Sequence, residues 1–117
     1  MAWIAAQAAD DRKGGDICIL KVTAVSYLTD YLVIITGLSK TQVRAIAQGI
    51  KDATADHCQR SPVHSEGEGD ASWVLLDYGD VMIHVQLPKE RQFYNLEAFW
   101  GHAERIPFEQ EFSLPSR

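Results

Sequence analysis

The chain has 117 residues, which fits one domain and buries enough surface to fold without a metal or a disulfide. Its 46% hydrophobic and 23% charged residues are typical of a soluble globular protein, and its apolar runs are shorter than the ~18 residues of a membrane span. The net charge of −5, from 16 acids and 11 bases, disfavours general nucleic-acid binding and favours a basic protein partner.

The N-terminal region predicts a helix and not an export signal. Residues Trp3 to Lys13 are rich in alanine and end at a Gly14-Gly15 turn. Met1 to Ala9 lack the basic segment of a signal peptide, and acids follow at once. Cys18 and Cys58 form no disulfide framework. We therefore expect a cytoplasmic protein.

Two strands and a long helix come next. Asp16 to Val22 and Tyr31 to Thr36 have strand composition, and the unbroken apolar character of the second predicts a central strand buried on both faces. Ser39 is a good N-cap for a helix that runs to about Cys58. The polar segment Gln59 to Asp70 contains proline and glycine and is expected to form a loop.

The clearest local feature is a β-hairpin from Trp73 to Leu87. Gly79-Asp80 is a two-residue loop typical of tight turns, and it joins a strand from Ser72 to Tyr78 to a return strand with strict alternation. The alternation places the following side chains toward the core: Val81, Ile83, Val85 and Leu87. It places the following on the other face: Met82, His84 and Gln86.

Pro88 stops the return strand, and a last helix is predicted from Lys89 to about Trp100. Phe93, Leu96 and Trp100 are expected on its core face, and the tail 101–117 has no clear periodicity. The order α-β-β-α-β-β-α predicts a single α/β domain over residues 1–117, with a mixed sheet of four or five strands and flanking helices.

Catalytic and metal sites are weakly supported. Gly37 to Thr41 lacks the glycines that a phosphate-binding loop needs, and no Asp-x-Asp pair for two magnesium ions occurs on the late strands. Asp77 and Asp80 are interpreted as turn residues that meet solvent. Four residues are candidate zinc ligands, but their spacing matches no recurrent zinc site: His57, Cys58, His64 and Glu66. We expect no enzyme activity, no cofactor and no metal.

The hairpin is a better candidate for binding a protein. The acids of Glu66 to Asp70 join Asp77 and Asp80 in a charged rim around Trp73 and Tyr78, which is the usual anatomy of a protein-binding patch. His84 stands alone on the non-core side of its strand, which is typical of a surface or interface residue. The alternative for Trp73 and its strand is that they are simply core.

Several segments together resemble the ribosomal silencing factor, or Iojap-related, family of bacteria and organelles. They are Ser26 to Ile34, Thr36 to Ser39, Gln42 to Ala47, Glu66-Gly67, Trp73 to Val81, His84-Val85, Arg91, Phe93 to Glu97, and Trp100. The match spans Asp10 to Trp100 in order. It implies a nucleotidyltransferase-like fold without catalytic carboxylates. It also implies a translation repressor that binds the large ribosomal subunit through its fourteenth protein and sterically blocks joining of the small subunit when nutrients are short.

By matching motif positions, the resemblance assigns the following residues to the partner contact: Trp73, Asp77, Tyr78, Gly79, Asp80 and His84, with Glu66 and Asp30 as additions. The ribosomal partner is basic, so the two hairpin acids are expected to meet Arg or Lys, with no direct reading of nucleic acid and no membrane. Exposed hydrophobic surface on the hairpin would also allow a homodimer when no ribosome is present.

Two alternatives stay open on these observations. One is an assembly factor for the large subunit, and the other is a nucleotidyltransferase-type enzyme that uses Ser39 and the hairpin acids. The chain begins at Met1-Ala2-Trp3, short of a full first helical turn for the family, so we expect the natural N-terminus to be longer.

Overall fold

A computed structural model describes residues 1–108 of the chain. In chain order its elements are α1 (Ala2–Asp11), β1 (Gly15–Lys21), β2 (Tyr31–Thr36), α2 (Lys40–Cys58), β3 (His64–Glu66), β4 (Trp73–Asp77), β5 (Val81–Gln86), α3 (Pro88–Tyr94), α4 (Leu96–Phe99) and β6 (Glu104–Ile106). No helix in this part of the chain is long and apolar enough to cross a membrane.

The strands form one mixed sheet in the order β3-β4-β5-β2-β1-β6. The central pair, β2 and β5, is parallel, and every other pair in it is antiparallel. β2 is buried over five of its six residues, as its apolar run predicts. The mixed α/β fold is confirmed. The parallel partner of β2 is β5, the second strand of the hairpin. The first strand, β4, lies on the far side of β5 and pairs with the edge strand β3.

The two faces of the sheet are covered unequally. On one face, α1 and α2 pack over the main core, which includes Val33, Ile46 and Ile83. On the other face, a second cluster is formed by Cys18, Leu20, Val22, Leu32 and Ile34, against which Leu96, Trp100 and Ala103 pack. Strands β3, β4 and β5 are left partly open on this second face.

Helix α2 begins as predicted at Ser39. The Ser39 hydroxyl accepts a hydrogen bond from the Gln42 N–H at 3.1 Å, and the Gln42 side-chain oxygen accepts one from the Leu38 N–H at 2.6 Å. The first bond satisfies an amide that the first turn of a helix leaves without an intrahelical partner, and the second holds the residue that precedes the cap. The Gly37 to Thr41 segment is thus a capped helix start.

Within residues 1–108 the sheet already has six strands, so the predicted count of four or five is too low. β3 lies in the segment predicted as a loop, and β6 lies in the segment 101–117, whose sequence has no clear periodicity. Both have three residues and sit at the sheet edges, where main-chain hydrogen bonds to β4 and β1 hold them. Residues 109–117 of that tail lie outside the described residues.

The predicted last helix is two short helices. Asn95 adopts a left-handed conformation with φ of 44° and ends α3, a role in which asparagine replaces glycine. The break rotates the second half of the segment, so Leu96 and Trp100 contact the second cluster as predicted. The prediction that Phe93 belongs to the core is wrong, because its side chain is 78% exposed.

Candidate functional site

The partly uncovered face of β3, β4 and β5 brings together four of the predicted contact residues. The register pairs Glu66 with Leu75 and Leu75 with His84, and it pairs His64 with Asp77 and Asp77 with Met82. Residues directly opposite one another in a sheet share a face. We call the following set the open face: His64, Glu66, Trp73, Leu75, Asp77, Met82 and His84.

Trp73 and His84 are joined at the centre of the open face. The indole N–H of Trp73 donates a hydrogen bond to Nδ1 of His84, and the two ring centroids lie 5.7 Å apart. Burial lowers the pKa of His84 to about 4, since charge is disfavoured away from water. The imidazole is therefore neutral at pH 7, and because its Nδ1 accepts the indole hydrogen bond, its own proton lies on Nε2.

Two aromatic rings that the sequence reasoning did not assign to the site extend this centre. Tyr94 packs on Trp73 with ring centroids 4.7 Å apart, and Phe93 contacts Tyr94 edge-on at 5.0 Å. Both side chains are more than half exposed. Leu75 and Met82 were also missed, although the period-two alternation around Trp73 and His84 places each of them on the same face.

The hairpin turn is confirmed as a two-residue loop. The Tyr78 N–H donates to the Val81 carbonyl at 2.9 Å, which closes the turn. Gly79 has φ of +90°, a conformation that glycine adopts at the first position of tight hairpin loops. Asp77 Oδ1 accepts a hydrogen bond from the Gly79 N–H at 2.7 Å, so this carboxylate also holds the turn.

Asp80 already has a basic partner inside the protein. Arg60 donates from two nitrogens to its two carboxylate oxygens, at 2.6 and 3.1 Å, and also donates to the Tyr78 carbonyl at 2.7 Å. The Arg60 guanidinium holds the pKa of Asp80 below its usual range. A partner's Arg or Lys can therefore contact Asp80 only if it displaces Arg60 or shares the carboxylate with it.

Tyr78 does not present its ring to a partner. The side chain is 3% exposed, and its hydroxyl is 2.8 Å from the Thr54 hydroxyl on α2. Burial raises the pKa of the phenol. Tyr78 therefore belongs to the helix-covered core, which corrects its expected role as an aromatic anchor. The reason is alternation, because Tyr78 falls on the same side of the strand as Val74 and Leu76.

Asp30 lies beside the hairpin turn although 50 residues separate it from Asp80. Its N–H donates to the Asp80 carbonyl at 2.9 Å, and its side chain is exposed. With Asp77 at the turn end of the open face, three carboxylates line one margin of the sheet. We call Asp30, Asp77 and Asp80 the acidic edge. Gly79 is exposed at the tip of the same margin.

The residues invoked for nucleotidyl transfer lie at opposite ends of the sheet. Ser39 follows Thr36, which pairs with Gln86, whereas Asp80 precedes Val81, which pairs with Tyr31. Five strand steps separate these ends, which is roughly 17 Å. The hydroxyl and the acids therefore cannot contact one reacting group. Within residues 1–108, no group of three or more His, Cys, Asp or Glu side chains is placed to hold a metal ion.

Comparisons with known proteins identify relatives over most of the chain. The family described as "Ribosomal silencing factor during starvation" matches residues 1–117. The ribosomal silencing factor of Bacillus subtilis is 46% identical over 100 residues, which is 86% of this chain and 84% of that protein. A crystal structure of a Chromobacterium violaceum protein has a TM-score of 0.81 at 34% identity and covers 97% of this chain and 93% of that one. A mouse protein named for mitochondrial assembly of the ribosomal large subunit is 34% identical over 87 residues, which is 73% of this chain and 38% of that protein.

Proposed function

Since the chain belongs to the ribosomal silencing factor family, we propose that it represses translation by binding the large ribosomal subunit through the open face. The proposed contact is the fourteenth protein of that subunit. Occupation of this protein keeps the small subunit from joining when nutrients are short. The proposed place of action is the cytoplasm, where the two subunits meet in bacteria.

The observation that carries the proposal is the uncovered surface of β4 and β5. Leu75, Met82 and Trp73 are only half-buried, whereas on the same face α4 and Trp100 cover β1 and β2. Apolar and aromatic side chains at the centre of a patch, with charges at its margin, are typical of protein interfaces. The open face and the acidic edge have this arrangement.

The proposed mechanism uses competition for a surface and breaks no covalent bond. The aromatic centre supplies the buried contact, because large rings lose much water-exposed area on docking. The acidic edge attracts a basic partner and speeds the encounter. Repression then follows from steric exclusion of the small subunit.

Co-sedimentation with purified large subunits tests the proposal. Leu75→Lys adds a positive charge at the centre of the open face, opposite Glu66, and is expected to weaken binding at least about tenfold because a basic partner is repelled there. Gln48→Lys is the matched control: it adds the same charge on exposed α2, where the introduced ammonium group could still contact Asp52. Thermal unfolding of each variant verifies that it is folded.

Two results would count against the proposal. If the unsubstituted protein stays in the supernatant, the chain does not bind large subunits. If Leu75→Lys and Gln48→Lys both pellet as the unsubstituted protein does, the open face is not the contact. Subunit joining, followed by light scattering after small subunits are added, then measures whether binding blocks association.

A role in large-subunit assembly is a second candidate. The name of the mouse relative favours it, and the same open face would serve for both roles. Sucrose-gradient profiles of a deletion strain separate the two. Accumulated precursor large subunits during rapid growth would support assembly, whereas normal profiles with excess subunit joining during starvation would support repression.

A further inference from the structure

An apolar groove lies on the second face of the sheet, between the β1–β2 loop and α4. Its volume is about 590 Å³, and its lining residues are Val25, Ser26, Tyr27, Leu28, Phe99, Trp100 and His102. The Tyr27 side chain is fully exposed, Leu28 is 83% exposed and Phe99 is 78% exposed. Large apolar side chains clustered around a groove in this way mark interaction sites on soluble proteins.

Hydrogen bonds hold the groove walls in place. In the loop, the Val22 N–H donates to the Asp30 carbonyl at 2.8 Å, and the Leu28 N–H donates to the Ser26 hydroxyl at 3.0 Å. On the other wall, Trp100 packs on the second cluster, and Phe99 contacts the Trp100 ring edge-on at 5.2 Å. The exposed side chains are thus presented by a structured frame.

The groove lies next to the open face. Met82 of the open face is directly paired with Leu32, and Met82 and Trp100 both pack against the cluster that contains Leu32. The loop that carries Tyr27 and Leu28 ends at Asp30, whose N–H is bonded to the hairpin turn. Asp30 therefore lies where the groove loop meets the hairpin turn, and Asp77 lies at the turn end of the open face.

We propose that this groove is a second part of the surface that binds the large-subunit protein, and that it receives an apolar side chain from that protein. The inference rests on the proposed function. Charge decides the occupant: a basic segment can place Lys or Arg beside Asp30 and Asp77 while its apolar residue enters the groove. A second copy of this chain, with a net charge of −5, would instead bring like charges together at the acidic edge.

The test measures affinity for large subunits, and for the isolated basic large-subunit protein, with the variants Leu28→Ser, Phe99→Ser and their combination. The control is Leu38→Ser, because Leu38 is 77% exposed but follows β2 at the opposite end of the sheet. The combined variant is expected to bind about tenfold to a hundredfold more weakly, mostly through faster dissociation, and the control is expected to bind as the unsubstituted protein does.

The outcomes separate this inference from the proposed function. If Leu75→Lys abolishes binding and the groove variants do not weaken it, the inference is overturned and the proposed function stands. If the groove variants change only self-association in analytical ultracentrifugation, a second copy occupies the groove and the inference is also overturned. If the unsubstituted protein binds no large subunits, the proposed function and this occupant both fall.

Discussion

The indole nitrogen of Trp73 lies 2.9 Å from Nδ1 of His84, and its N–H donates a hydrogen bond to that atom. The two residues are diagonal neighbours, since the residue directly opposite Trp73 is Gln86 and the one opposite His84 is Leu75. The bond holds the indole across β4 and β5 and depends on a neutral imidazole. It therefore links the shape of the open face to pH.

Acid should destabilise the protein through His84. Its pKa is about 4 in the folded chain and 6.5 as an ordinary histidine, so the unfolded state binds a proton first as the pH falls. The full contribution is present above pH 6.5, and it is lost progressively as the pH falls toward 4. Between pH 7 and pH 5 we expect the free energy of unfolding to drop by about 2 kcal/mol from this residue.

Urea unfolding at the two pH values measures this loss, with His84→Gln as the comparison. The glutamine carbonyl oxygen can still accept from the indole N–H, but the side chain does not titrate. An equal loss in the variant would show that other groups cause the acid sensitivity.

Tyr78→Phe should weaken folding without weakening binding to large subunits. The phenol hydroxyl bonds to the Thr54 hydroxyl inside the core, and its removal leaves that hydroxyl with a bond to the Lys51 carbonyl. We expect a loss of about 1 kcal/mol in the free energy of unfolding. Chemical denaturation and co-sedimentation on the same preparation measure the two effects. Weaker binding by a fully folded variant would return Tyr78 to the contact surface.

The carboxylates of the acidic edge should differ in how strongly they steer a basic partner. Arg60 neutralises Asp80 at close range, whereas the charge of Asp77 faces a backbone amide. Asp77→Asn is therefore expected to slow association with large subunits by about twofold to threefold at low salt, and Asp80→Asn by less.

Stopped-flow association at several salt concentrations compares the two variants, and the difference should shrink as salt rises. Arg60→Gln is the reciprocal variant, and it should speed association. A larger effect of Asp80→Asn than of Asp77→Asn would contradict this interpretation of the ion pair.

Arg91 should be more important for stability than its position on a short helix suggests. Its guanidinium, 11% exposed, donates to the Thr36 hydroxyl at 2.9 Å, to the Asp16 carbonyl at 2.6 Å and to both carboxylate oxygens of Glu97. Lysine cannot reproduce this planar set of bonds. Arg91→Lys is expected to lower the free energy of unfolding by about 2 kcal/mol at pH 7.

The effect of Arg91→Lys should shrink in acid. Arg91 holds the pKa of Glu97 below its usual range, so this part of the stability is present above the ordinary glutamate pKa and is lost as the pH falls through the folded value. Thermal unfolding at pH 7 and at pH 3 checks this, with Lys89→Arg on exposed α3 surface as the control. An effect of the same size at both pH values would contradict the assigned pair.

Alternation of side chains predicted the parts of the fold that depend on it. A period of two in hydrophobicity predicts the hairpin, the central strand and the face that carries Trp73 and His84. The start of α2 is predicted separately, because serine at position 39 is a favoured N-cap residue. The same alternation also places Tyr78 with Leu76 in the core, although its aromatic ring and its place beside the turn are typical of an interface anchor.

The remaining features depend on contacts that no local pattern encodes. The sequences of β3 and β6 are largely polar and have no strand pattern. Main-chain hydrogen bonds to β4 and β1 hold these two strands in the sheet. The Arg60–Asp80 pair joins a loop after α2 to the hairpin turn, and the groove joins the β1–β2 loop to α4. The exposure of Phe93 follows from the left-handed Asn95 backbone, which hydrophobic periodicity does not reveal.

The parallel pairing of β2 with β5 determines when the sheet can form during synthesis of the chain. Tyr31 meets Val81 and Thr36 meets Gln86, so the centre of the sheet joins segments 50 residues apart. Pairings at such separation form slowly, because a long loop must close first. During synthesis the open face cannot assemble until residue 86 has left the exit tunnel. The proposed binding through the open face is therefore closed to a nascent chain whose β5 has not yet emerged.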